Sequence, residues 1–123
     1  MIVCAYVLAH DESSWVPADD PVATLRHETG HVLDYLLDSI SEEQEYKHDY
    51  LLDIGVMEDG VRDKLAYYTQ KGETGQRESF AEINCILLGG GNTEWRRTTE
   101  GLVAKNFPRS MQFVSHLHQT VTK

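Results

Sequence analysis

Asp20-Pro21-Val22-Ala23-Thr24-Leu25-Arg26-His27-Glu28-Thr29-Gly30-His31-Val32-Leu33-Asp34-Tyr35-Leu36 is the stretch that decides the fold. Asp20 offers a capping carboxylate, and Pro21 fills the one helical position that tolerates proline. Leu25, Val32, Leu33, Leu36 and Ile40 follow at three-to-four spacing, which predicts a helix over about residues 20–38. Inside it, His27 and His31 lie one turn apart on one face, so both imidazoles can meet one Zn2+ at about 2.0–2.1 Å. Glu28 is rotated by about 100° from His27, beside the metal and not on it. There it can take a proton from an attacking water and pass it to a leaving amine. This is the H-E-x-x-H arrangement, and Gly30 leaves the backbone open to a close neighbour.

A catalytic zinc wants a third protein ligand and one open position. Glu78-Ser79-Phe80-Ala81-Glu82 supplies a candidate on the next long helix, predicted over about residues 76–88 and stopped by Gly89-Gly90-Gly91. Glu78 and Glu82 are four apart and point the same way, while Phe80 and Ala81 turn towards packing. Glu78 is assigned to the metal and Glu82 to a position behind it, fixing the imidazole of one ligand histidine. Asp34, three residues after His31, shares the ligand face and is a second candidate for that supporting role.

The rest of the chain fills in around these two helices. Residues 2–9 form a continuous β-favouring run, read as a strand covered on both faces, and residues 10–19 as a loop. Ser41 with Gln44 resembles a capping box for a helix buried through Tyr46, Tyr50, Leu51 and Ile54, with Glu42, Glu43, Glu45, Asp49 and Asp53 on its wet side. Gly60–Tyr68 reads as a short helix, and residues 92–107 as a turn and a short helix. Pro108 starts a last helix, about residues 108–121, that carries Met111, Val114, Leu117 and Val121 inward. One strand against four or five helices predicts an α+β fold, mostly helical, with a small sheet at the N-terminus.

The chain has 123 residues, 41% of them hydrophobic and 25% charged, which fits one folded domain over residues 1–123. Its formal net charge is −9 at pH 7. That balance argues against nucleic acid or an anionic membrane as partner, since both need an excess of cations. Cys4 and Cys85 are too few for a disulfide scaffold and read as small buried hydrophobes in a reduced compartment. Met1–Ala9 lacks a positive n-region and is too short to span a bilayer. The expected location is the cytoplasm, or export without a classical signal peptide.

These residues resemble a known family. Arg26–Tyr35 is similar to the zinc helix of the anthrax lethal factor-like metallopeptidases, relatives of the Pro-Pro endopeptidases. Their motif is H-E-x-G-H with an Asp three residues later, followed by a helix reading E-x-F-A-E whose first Glu is the third zinc ligand. Glu78-Ser79-Phe80-Ala81-Glu82 matches that segment letter for letter, and Asn106-Phe107-Pro108-Arg109-Ser110-Met111-Gln112-Phe113 resembles the family's closing N-x-P-[KR]-x-x-Q-F stretch. The resemblance covers roughly residues 24–115. It implies a zincin fold, endopeptidase activity on a peptide or protein substrate, and a zinc site of His27, His31 and Glu78.

Two departures from the family matter. The family places a Tyr shortly before the third-ligand Glu, where its hydroxyl stabilises the tetrahedral intermediate. At the strict spacing this chain has Lys71; a loop insertion around Gly72–Gly75 would restore Tyr68, with Tyr67 the alternative. Zincins also present a sheet edge to an extended substrate, and only some 20 residues precede the zinc helix here, enough for one or two strands. An alternative is therefore open: a non-catalytic zinc-binding module used for protein–protein interaction. Intact Glu28 speaks for the enzyme, because a purely structural site has no use for a base at that position. His116 and His118 are two apart in a helix and face apart, Trp95-Arg96-Arg97 reads as a packed Trp with two solvated Arg, and the oligomeric state is open.

Overall fold

The computed structural model describes residues 6–8, 15–17 and 20–121. Six α-helices build its body: α1 Pro21–Leu36, α2 Gln44–Gly55, α3 Asp59–Lys64, α4 Glu73–Leu87, α5 Glu94–Asn106 and α6 Pro108–Val121. Short 3-10 turns, Ile40–Glu42 and Ala66–Tyr68, join α1 to α2 and α3 to α4. The expected α+β class is corrected to all-helical. Extended backbone among the described residues amounts to Tyr6–Leu8 and Trp15–Pro17, three residues each, paired antiparallel with Val7 opposite Val16. An isolated ribbon of that size is no sheet layer for helices to pack on, and the helices bury their apolar faces on one another. Residues 2–5 and 9 of the expected strand, and residues 10–14 and 18–19 of the expected loop, lie outside the described residues.

The core is aromatic. Tyr46 and Tyr50 of α2, Phe80 and Ile83 of α4, Val103 and Phe107 at the end of α5, and Val114 of α6 are buried together. Tyr46 and Phe80 meet edge to face with ring centroids 5.5 Å apart, and Tyr50 stacks on Phe107 at 6.0 Å. Such pairs add about 0.5–1.5 kcal/mol each beyond the area they bury. Met111, Phe113 and Leu117 pack against this core as partly buried neighbours, whereas the side chain of Val121 lies outside the described residues.

The helix boundaries follow from local chemistry. Asp20 caps α1, its Oδ1 accepting from the Ala23 N–H at 3.1 Å, and its Oδ2 accepts from the N–H groups of Asn92 and Thr93 at 2.6 and 2.9 Å. One carboxylate thus ties the start of α1 to the start of α5. Glycine ends α4: Gly89 and Gly90 take positive φ values of 115° and 70°, a conformation that side chains with a Cβ resist. Within residues 92–107, Glu94–Asn106 form a thirteen-residue helix, longer than expected, whose start is capped by Thr93 accepting from the Arg96 N–H.

The second helix departs most from its reading. Ser41 does not cap α2; Glu43 stands at the N-cap with no side-chain bond, and Ser41 instead donates to Asp34. Leu51 is 53% exposed, while Asp53, assigned to the wet side, is fully buried. Asp53 accepts from the N–H and hydroxyl of Ser110, at 2.9 and 2.8 Å, and from the N–H of Arg109 at 3.3 Å. It is the cap of α6, supplied by another helix.

Candidate metal centre

The close crossing of α1 and α4 makes the site. Gly30 faces the α4 backbone, where an added Cβ would lie 2.7 Å from the Ala81 Cα and 2.9 Å from its carbonyl oxygen. Without a side chain at residue 30 and with only a methyl at 81, the helices approach closely enough for their polar side chains to meet one turn away.

There, His27 and His31 from α1 face Glu78 and Glu82 from α4. The Nε2 atoms of His27 and His31 both reach one oxygen, Glu78 Oε1, at 2.9 and 3.0 Å. The other ring nitrogen of His27, Nδ1, donates to Glu82 Oε1 at 3.0 Å. Exposure grades outward across the patch: the Glu82 side chain is fully buried, His27 is 12% exposed and His31 28%. Glu28 is exposed at the rim. Burial alone would lower the pKa of His27, but its hydrogen bonds to Glu78 and Glu82 outweigh that and push it up to about 9. Burial likewise works against the ionised Glu78, and the two imidazoles overcome it, holding the carboxyl well below its usual range. The ligand atoms of His27, Glu28 and His31 lie within 4.8 Å of one another, and this group could hold a metal ion.

The two tyrosines separate. Tyr68 is 7% exposed, part of the core, with Glu82 and Arg96 acting on its hydroxyl. Tyr67 is 40% exposed, and burial together with the negative charge of Glu78 and Glu28 raises its pKa. Tyr67 is the tyrosine on the patch, and Tyr68 lies beneath it. Asp34 is buried, but its carboxylate is taken up by Ser41, accepting from the N–H at 2.8 Å and the hydroxyl at 2.6 Å. It secures the turn after α1. Cys85 is a buried free thiol, and Cys4 lies outside the described residues.

Arg96 is the residue that the sequence reading missed. Expected in solvent, its side chain is 15% exposed, with its NH2 group on Glu82 Oε1 and Nε 3.4 Å from Glu100 Oε2. Trp95, expected to pack, is 71% exposed. The available signal was Glu82 itself: an acid between Ala81 and Ile83 on a buried helix face calls for a cation. His118, set aside as a ligand, hydrogen-bonds Asn84 Oδ1 at 2.7 Å. Among the described residues no helix is long and apolar enough to cross a membrane. No protein-family model, curated protein or solved structure matches the chain.

Proposed function

We propose that the chain is a zinc-dependent endopeptidase of the lethal factor-like type, acting on a peptide or protein substrate. One observation carries this reading: two imidazole Nε2 atoms of one helix each lie within 3.0 Å of a single carboxylate oxygen of the helix that crosses it, with an exposed glutamate at their rim. Two neutral imidazoles and a carboxylate are the donor set of a three-ligand catalytic zinc site, which keeps a position open for chemistry. Ligand atoms about 2.0–2.1 Å from a tetrahedral ion stand about 3.3 Å apart, close to the 2.9 and 3.0 Å that separate Glu78 Oε1 from the two Nε2 atoms.

When bound, Zn2+ supplies a Lewis acid that polarises the scissile carbonyl and acidifies the attacking water. Glu28 is open to solvent, with a carboxylate oxygen within 4.8 Å of ring nitrogens of His27 and His31. Its carboxylate takes the proton as water attacks and delivers it to the departing amine nitrogen. Glu82 accepts from His27 Nδ1–H, which fixes the tautomer that leaves Nε2 free to bind the metal. Tyr67 rather than Tyr68 takes the oxyanion role in this reading, because it is the more exposed of the two and interacts with Glu78. Burial with that acid raises its pKa and keeps the hydroxyl protonated at neutral pH. A donor in that place adds most where charge develops in the transition state.

The test compares peptide-library cleavage by zinc-loaded wild type and Glu28→Gln. The wild type should cleave, and the variant should keep its zinc while losing about 10²–10⁴-fold in rate. Equal background from both would leave the non-catalytic zinc module as the better description.

A further inference from the structure

We propose that Arg96 is a positioning residue for the metal centre: it holds Glu82, and Glu82 holds His27 so that Nε2 faces the metal. The inference rests on the zinc-site reading above and adds to it a residue from a third helix. Glu82 is fully buried, and its contacts with His27 and Arg96 both fall on Oε1, while Oε2 has no hydrogen-bond partner among the described residues. With Arg96 gone, the imidazole would be the one hydrogen-bond partner left to this buried carboxylate among the described residues. Such a group is driven out of its place, since an under-paired buried charge is costly. As Glu82 leaves its place, the acceptor for His27 Nδ1–H moves with it, and the orientation of the imidazole loosens.

Arg96 is itself held in place. Thr93 caps its backbone N–H at 3.2 Å, and Asp20 holds the N–H groups of Asn92 and Thr93. Because Asp20 also caps α1, the guanidinium is registered against the helix that carries His27. Glu100 flanks its other side, and the Glu100 carboxylate is fixed by the Gly91 N–H at 2.9 Å. A planar guanidinium can lie between two carboxylates at once, which a lysine ammonium does less well.

The experiment measures Zn2+ affinity by competition with a chromophoric chelator for wild type, Arg96→Lys, Arg96→Met, Glu82→Gln and the Arg96→Met/Glu82→Gln double variant. Arg97→Met is the control, since the side chain of Arg97 bonds the Gly91 carbonyl at 3.4 Å and, among the described residues, makes no hydrogen bond or ion pair with Glu82 or His27. Arg96→Met should weaken zinc about 10–100-fold, Arg96→Lys less, and Arg97→Met not at all. The double variant should bind no worse than Glu82→Gln, because Arg96 acts through Glu82. Wild-type affinity in Arg96→Met, or a double variant whose loss is the product of the two single losses, overturns the proposal. Should Arg96→Met not fold, the same cycle run with Arg96→Lys decides the question.

A second readout separates this inference from the zinc reading. In metal-free protein, the hydrogen-bonded Nδ1 proton of His27 should give a protected downfield NMR signal in wild type and Arg96→Lys, absent in Arg96→Met. Loss of that signal in a protein that binds no zinc retires the peptidase reading and keeps the role of Arg96. An unchanged signal in Arg96→Met overturns that role.

Discussion

Two sets of buried or half-buried acids in this molecule behave differently. Asp20, Asp34 and Asp53 sit at helix junctions, and each accepts from at least two donors that include backbone N–H groups. Backbone donors do not titrate or leave, so these carboxylates are structural fixtures that join α1 to α5, close the turn after α1 and cap α6. Glu78 and Glu82, at the α1–α4 crossing, instead face imidazoles and a guanidinium. Imidazoles lose protons near neutral pH and bind metals, so these contacts can be exchanged for others. An acid anchored by main-chain donors belongs to the architecture; one held only by imidazole and guanidinium side chains among the described residues belongs to a site.

The largest effect expected from this contrast is on stability at a junction. Asp53→Ala strands the N–H and hydroxyl of Ser110 at the start of α6, which should cost about 2–4 kcal/mol. Chemical denaturation would measure it, and zinc affinity of the folded variant should be unchanged. A matching loss of zinc affinity would erase the division between the two sets.

Gly30→Ala sharpens the comparison from the other side. Its Cβ would press on the Ala81 backbone, which has no flexible end to move, so the helices must separate. About 1–3 kcal/mol of stability should be lost, with weaker zinc binding, because the same crossing sets the distance between the histidines and Glu78. Undiminished zinc affinity in a destabilised Gly30→Ala would show that the ligands do not depend on this approach.

The smallest effect is pH dependence in metal-free protein. His27 is raised from 6.5 to about 9, so its contribution to stability is complete below pH 6.5 and is lost as pH rises through about 9. Glu78 is lowered, so its contribution is present above its usual 4.5 and is lost in acid. The melting temperature in chelator should therefore fall between pH 6.5 and 9. Added zinc should reverse that slope, since the metal competes with protons for the imidazoles. A flat profile in chelator would mean that His27 is not held between the two carboxylates.

What could be read in advance was what local periodicity encodes. His27 and His31, and likewise Glu78 and Glu82, are one helical turn apart, and that spacing alone puts each pair on one face. Residues whose partners are remote in the chain were not legible. Asp53 reads as one more acid on a wet face until Ser110, 57 positions later, brings its donors. Arg96 looks solvated until α5 folds back on Glu82. Ser41 carried a good capping signature, but Asp34 offered it a charged acceptor and won. Of the β-favouring run, the described stretch Tyr6–Leu8 pairs with Trp15–Pro17 in a three-residue ribbon, too small for a sheet layer, and the helices packed on one another.

The central question is whether His27, His31 and Glu78 hold a zinc ion together. Zinc titration of chelator-stripped protein, with His27→Ala, His31→Ala and Glu78→Gln alongside, measures it. One tightly bound ion per chain in wild type, with binding lost or greatly weakened in each variant, is the predicted result. No stoichiometric zinc in wild type, or undiminished binding in Glu78→Gln, would contradict it.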